Sequence, residues 1–224
     1  SDGVINLFSD IKEEFSLFDS KFLQDVANMK EKNLAIELLK RLISNQVSVY
    51  RRTNVVKSEK FSEIMQRFLN AYLNGMLTNE EVIAEMLKLA KQIAADREEG
   101  EKLGLTADEL AFYDALVKPQ AIKDFYENEE LISITKELAE TLRKNRTIDW
   151  QKRESARAKM RMIIKKLLKK HKYPPEGMDD AVQTVITQCE LWTDNYDMEE
   201  EHKVYSYPMP TEKPLSLVAD NIGK

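Results

Sequence analysis

Between Gly3 and Gly75 the chain contains neither glycine nor proline. A stretch that long lacks the residues that open tight turns and break hydrogen-bond ladders, so it has to be built mainly of helices. The apolar pattern agrees. Phe8, Ile11, Phe15, Phe18 and Phe22 recur at alternating steps of three and four, which predicts one face of a long amphipathic helix. Leu34, Leu38 and Leu42, with Leu39 and Ile43 beside them, predict a second helix that ends near Thr53-Asn54-Val55-Val56. A third is expected from Ser58 to about Leu73.

Gly75 supplies a helix stop, and Leu77-Thr78-Asn79-Glu80-Glu81-Val82 supplies a start. Thr78 and Glu81 stand at capping-box spacing, and Leu77 and Val82 are placed as the hydrophobic staple. The device recurs with Thr106 and Glu109 as the box and Leu105 and Leu110 as the staple, so Gly100 to Gly104 reads as a connector. After Pro119 a short helix leads to a longer one with Leu131, Ile134, Leu138 and Leu142 on its face. Another begins around Thr147 to Trp150 and runs to Tyr173, where Pro174 and Pro175 end it. A last helix carries Met178, Val182, Val185, Cys189 and Trp192 on one face.

Pro208, Pro210 and Pro214 interrupt any periodicity beyond about Asn195. No run of alternating apolar residues is long enough for a strand. The expected fold is therefore all-α, a bundle of about eight or nine helices over residues 1–195 with an extended tail at 196–224. Residues 1–29 form a candidate linking or docking helix at its start.

Composition narrows the function classes. The net charge of −5 argues against a wholly basic nucleic-acid binder, although an average can conceal segregated charge. One cysteine, Cys189, excludes an internal disulfide framework, and with only His171 and His202 no metal-ligand spacing emerges. This usage fits a reducing, cytoplasmic compartment. No apolar run approaches the roughly 20 residues needed to cross a bilayer, so no membrane partner is expected. The start at Ser1-Asp2-Gly3 reads as a fragment of a longer chain.

Phosphate loops, dinucleotide fingerprints, zinc-protease pairs and nucleophile elbows are all missing from the sequence. Acid-x-Lys, half of a common nuclease motif, occurs as Asp10-Ile11-Lys12, Asp19-Ser20-Lys21 and Glu201-His202-Lys203. A chain this charged produces such triplets by chance. No catalytic residue, metal ligand or cofactor is therefore expected within these residues.

The distinctive chemistry lies between residues 143 and 172. From Lys152 to Lys172 there are ten Lys or Arg and one acid, Glu154, with Arg143, Lys144 and Arg146 just upstream. Met160, Ile163, Ile164, Leu167, Leu168 and His171 occupy one face, so the cations spread over the other. Arg143, Lys144, Arg146, Lys152, Arg153, Arg157, Lys159, Arg161, Lys165, Lys166 and Lys169 are the candidate binding residues. Cations in line along a helix can neutralise successive phosphates of double-stranded DNA, or meet an acidic partner surface. Equally, the helix can be a solvated face docked on the chain's own acidic stretch, since Glu176 to Glu201 holds nine Asp or Glu and no Lys or Arg. A stand-alone helical protein that binds DNA without sequence choice is the alternative function. His171, Cys189 and Trp150 read as packed core side chains.

Several motifs in order resemble one family. Lys32-Asn33-Leu34-Ala35-Ile36-Glu37-Leu38-Leu39, Ser58-Glu59-Lys60-Phe61-Ser62-Glu63, Leu103-Gly104-Leu105 and Ala111-Phe112-Tyr113-Asp114-Ala115-Leu116 come first. Asn145, Ile148-Asp149-Trp150 and Tyr173-Pro174-Pro175 follow. Together they resemble the C-terminal region of type I restriction enzyme R subunits, the motor and endonuclease subunits, over about residues 30 to 192. The resemblance implies a helical domain that follows nuclease and motor domains lying outside this sequence, to which ATP and magnesium would belong. It implies that this domain is a non-catalytic part of an ATP-dependent endonuclease, docked onto a core of modification and specificity subunits. It also places Arg157, Arg161 and Lys165 in a basic helix shared by the family, beside Glu154 and after Asp149-Trp150.

Overall fold

Several helix ends are set by short-range hydrogen bonds. The computed structural model describes residues 17–118, 120–147 and 149–204, with side chains described as far as Asp194 except for Gln120 and Ala121. Helix α1 spans Ser20–Ala27, α2 Lys32–Thr53, α3 Val55–Leu73, α4 Asn79–Lys102 and α5 Ala107–Val117. A 3-10 turn at Gln120–Asp124 precedes α6, Asn128–Asn145. A second at Trp150–Lys152 precedes α7, Glu154–Lys170, and α8 spans Pro175–Val204. Among the described residues there are thus eight α-helices and no strand, the all-α architecture expected.

Both capping boxes form. Glu81 N–H donates to Thr78 Oγ1 at 3.2 Å while Thr78 N–H donates to Glu81 Oε2 at 2.7 Å. The same reciprocal pair joins Thr106 and Glu109 at 3.2 and 2.9 Å. At the end of α3, Gly75 adopts φ 70°, and Met76 N–H reaches Ala71 O at 2.9 Å while Gly75 N–H reaches Tyr72 O at 3.0 Å. This is the glycine-terminated stop anticipated, and it satisfies two carbonyls that the helix end would leave bare.

Four boundaries differ from the expectation. The predicted N-terminal stripe does not continue through Phe18 to Phe22, because Asp19 is extended and its carboxylate caps α1, accepting from Lys21 and Phe22 N–H at 2.9 and 3.3 Å. Phe8, Ile11 and Phe15 lie outside the described residues. Gly100 is not in a connector but inside α4, buried, where a Cβ would come within 2.4 Å of Leu110 Cδ2. Its lack of a side chain lets α5 close onto α4, and the connector shrinks to Leu103–Thr106. The basic helix starts at Glu154, because Arg153 is extended and closes the separate turn around Trp150. Finally, α8 continues past Asn195 to Val204, while the proline-bearing segment at 208–214 lies outside the described residues.

The apolar faces form two cores. Leu17, Val26, Leu39, Ile43, Phe61, Met86 and Ile93 represent one, built from α1 to α4. Phe112, Leu138, Trp150, Ile164, Val185 and Trp192 represent the other, built from α5 to α8. They meet at Asn54, the single residue between α2 and α3, whose backbone is extended at φ −152° and ψ 101°. Its Oδ1 accepts from Lys57 N–H at 3.0 Å, and its Nδ2 donates to Asp114 Oδ2 of α5 at 2.7 Å. Gln188 of α8 donates to Thr53 O and accepts from Val55 N–H, both at 2.9 Å. The break therefore costs few backbone hydrogen bonds, because side chains from the second core replace them.

Lys57 Nζ stands 3.8 Å from Asp114 Oδ2, and the two side chains are only 7% and 17% exposed. Burial pushes the Asp114 carboxyl above its ordinary value, with Lys57 and then the Asn54 hydrogen bond pulling it back. Removing one member of such a pair strands the other. Asp114→Ala is expected to destabilise the fold by about 3 kcal/mol, read from urea unfolding midpoints, and an unchanged midpoint would refute the role assigned to this pair.

Candidate functional site

Helix α7 is held by its apolar face. Met160, Ile164, Leu167 and Leu168 are buried in the second core, and Ile163 is partly buried against it. Its lower end is set by an αL cap: Lys172 adopts φ 58°, with Lys172 N–H on Lys169 O at 3.0 Å and Tyr173 N–H on Leu168 O at 2.9 Å. This is the geometry a glycine usually supplies. Pro175 then opens α8, in the first helical position where a missing N–H is harmless.

With the helix fixed in this way, the predicted cations separate by environment. Arg143 and Arg146 of α6 and its C-cap lie over the Trp192 ring, at 5.5 and 4.9 Å from its centroid. Lys144 pairs with Glu140 at 2.6 Å, and Lys152 with Asp149 at 2.9 Å. Arg157 meets Glu190 of α8 at 2.7 Å, and Lys165 meets Asp179 of α8 at 3.0 Å. Arg161 lies 3.1 Å from Glu154 of its own helix. The acidic stretch of α8 therefore takes up part of the charge of α7.

Lys159, Lys166 and Lys169 are exposed and form no ion pair among the described residues, and Arg153 is likewise exposed. At steps of seven and three, the three lysines share one stripe of α7. Met162, which the sequence reading passed over, sits in that stripe with 66% of its surface exposed. Its signal was positional: it is offset from the buried Met160, Ile164, Leu167 and Leu168. Beside it an open groove of about 590 Å³ is lined by Arg161, Met162, Lys165, Lys166 and Lys169 of α7 and by Asp179, Val182 and Gln183 of α8.

The side chains read as packed residues have structural partners. Trp150 is fully buried and donates from Nε1 to Thr193 Oγ1 at 3.0 Å. Cys189 is buried, and burial pushes its thiol up to about 12, which leaves it unreactive near neutrality. His171 is past the end of α7 rather than in the apolar stripe; it is partly buried, with Nε2 2.7 Å from Glu137 Oε2. Asp19, the acid of one Asp-x-Lys triplet, serves as the cap of α1. Among the described residues no group of three or more His, Cys, Asp or Glu could hold a metal ion. No helix is long and apolar enough to cross a membrane among those residues.

Glu137 ties α6 to the end of α7, accepting from Lys170 Nζ at 2.6 Å as well as meeting His171. The Lys170 and then the His171 hydrogen bonds hold its carboxyl below the ordinary value of 4.5. A lowered carboxyl pKa contributes stability that is present above pH 4.5 and lost as pH falls through the native value. With this side chain 37% exposed, the contribution is screened to under about 1 kcal/mol. Urea midpoints of Glu137→Gln should therefore fall below those of the parent at pH 6, and the gap should close as the pH is lowered below 4.5; parallel curves would count against the contact. Separately, Lys172→Gly should stabilise by about 1 kcal/mol in the same assay by relieving the left-handed backbone, and a lower midpoint would contradict that cap geometry.

Comparison with known proteins gives a consistent result. A family described as "Type I restriction enzyme HindI endonuclease subunit-like, C-terminal" matches residues 1–195. The chain is 39% identical over 193 residues to the "Type I restriction enzyme HindI endonuclease subunit" of Haemophilus influenzae, covering 85% of this chain and 18% of that protein. It is 30% identical over 178 residues to the "Putative type I restriction enzyme MjaIXP endonuclease subunit" of Methanocaldococcus jannaschii, covering 79% of this chain and 16% of that one. The chain thus spans less than a fifth of either relative's length. No solved structure matches it. With the family match covering both cores and the basic helix of the second, the chain belongs to the C-terminal domain family of HindI-like type I restriction endonuclease subunits.

Proposed function

We propose that this chain is a non-catalytic assembly domain, which holds an ATP-dependent DNA-translocating endonuclease subunit on a core of modification and specificity subunits. The observation that carries this reading is the exposed stripe of Lys159, Met162, Lys166 and Lys169, displayed on a helix whose other face is locked into a core. A rigid helix presenting unneutralised cations and an apolar centre suits binding. The membership of the chain in an endonuclease-subunit family supplies the setting. ATP and magnesium would be used by the remainder of the longer subunit, and the domain would work in the cytoplasm.

The same stripe supports a second reading, contact with duplex DNA phosphates, either within the complex or by the chain alone. The lysines to test are Lys159, Lys166 and Lys169. Reversing Arg157 or Lys165 would disturb the packing of α7 on α8, since each is bound to an α8 carboxylate.

The purified chain mixed with modification and specificity subunits of its restriction system should co-elute with them on size exclusion. It should show neither ATP hydrolysis nor metal-dependent cleavage of plasmid DNA. Turnover of either kind by the isolated chain would overturn the non-catalytic assignment. Failure to co-elute at micromolar concentrations, together with duplex binding that weakens steeply with salt, would replace assembly by the stand-alone DNA-binding reading.

A further inference from the structure

We propose that the groove between α7 and α8 takes an acidic amphipathic helix of a protein partner, with an apolar side chain of that helix seated on Met162. The proposal rests on the assembly reading above and gives the chemistry of the contact.

Three features of the groove select this occupant. Its charge comes first. Arg161 and Lys165 are held by Glu154 and Asp179 at 3.1 and 3.0 Å, but Lys166 and Lys169 on the same wall have no carboxylate partner among the described residues. An occupant has to bring acids to them.

The second feature is Met162. Counterion release from phosphates rewards cations in sequence and gains nothing from a thioether in their midst. A protein surface does gain, because burying the exposed Met162 side chain removes apolar area from water and its flexible thioether adapts to the group it meets. Methionine is enriched at protein interfaces for this reason. Buried Val182 lies opposite as part of the apolar floor.

The third is Asp179, whose side chain is 89% exposed on the α8 wall. By holding Lys165 at 3.0 Å it leaves a passing phosphate one cation fewer on that side of the groove, whereas a protein helix can keep its acids over Lys166 and Lys169 alone. From Lys159 to Lys169 the stripe extends roughly 15 Å along α7, enough for about three turns of a helix laid beside it. A helix laid in a groove contacts it through its own anchors three and four residues apart, so one apolar anchor on Met162 leaves acids a turn away to face Lys166 and Lys169.

The test uses fluorescence anisotropy with the full chain and three labelled probes. One is a peptide of about four turns with leucines on one helical face and glutamates on the other. The second is its scrambled isomer, and the third a DNA duplex of about 20 base pairs. The amphipathic peptide should bind at least roughly tenfold more tightly than the scrambled one. Both Met162→Ser and the triple K159Q/K166Q/K169Q variant should weaken it roughly tenfold, with thermal midpoints within about 2 °C of the parent. Equal binding of the two peptides would overturn the proposal. So would tight, salt-sensitive duplex binding that Met162→Ser leaves unchanged, since the groove would then be a phosphate site.

A competition arm separates this inference from the assembly reading. If the chain holds the modification and specificity subunits and Met162→Ser leaves that affinity unaltered, the groove proposal falls while assembly stands. If the peptide binds as expected but those subunits do not, the groove proposal is supported and assembly onto that core falls.

Discussion

Asn54 carries a constraint on which the arrangement of both cores depends. A single extended residue splits what would otherwise be one continuous helix from Lys32 to Leu73. Breaking a helix inside a protein exposes carbonyls and N–H groups that must find partners. Here the Asn54 amide serves both directions, capping α3 through Oδ1 and reaching Asp114 through Nδ2. Gln188 closes the remaining gap from the far end of the chain, bonding Thr53 O and Val55 N–H. The α2–α3 break is thus satisfied by Asn54 itself and by Gln188 of α8, with Asp114 of α5 fixing the Asn54 amide, which ties its geometry to the docking of the second core.

That coupling passes to the candidate interaction surface through α8. The same helix that presents Gln188 to the break packs its apolar face with Trp150 and Ile164, and offers Glu190 and Asp179 to α7. The Lys165–Asp179 pair is exposed and of a kind worth little individually, and the partly buried Arg157–Glu190 pair ties the helices at one point only. The position of α7 comes instead from burial of Met160, Ile164, Leu167 and Leu168, and the ion pairs decide which cations remain available once it is in place. The result is a short patch around Met162 in place of an evenly charged helix.

The candidate site was legible in the sequence as a class of surface more than as a set of residues. Charge segregation located the basic segment, and helical periodicity showed that its cations lie opposite an apolar stripe. Neither could separate Lys166 from Lys165, adjacent in sequence, because the difference is made by Asp179, fourteen residues away on another helix. Of the two readings of the basic segment that composition left open, a face docked on the chain's own acids describes part of it. Arg157 and Lys165 are docked; Lys159 and Lys169 are exposed without an ion pair among the described residues.

What the sequence determined by itself is local. The capping boxes at Thr78 and Thr106, the stop at Gly75 and the apolar periodicities depend on interactions between residues at most about five apart, so they can be read without knowing the fold. Tertiary structure decided whatever depends on a distant partner. Gly100 lies inside α4 with Leu110 packed where a side chain would be, and the Trp150 turn stands apart from α7 with its indole bonded to Thr193. The groove at Met162 likewise exists only where α7 and α8 lie side by side. Short-range hydrogen bonds repeat a pattern that sequence spacing records, whereas burial and charge pairing depend on which surfaces meet, and spacing along a chain carries no record of that.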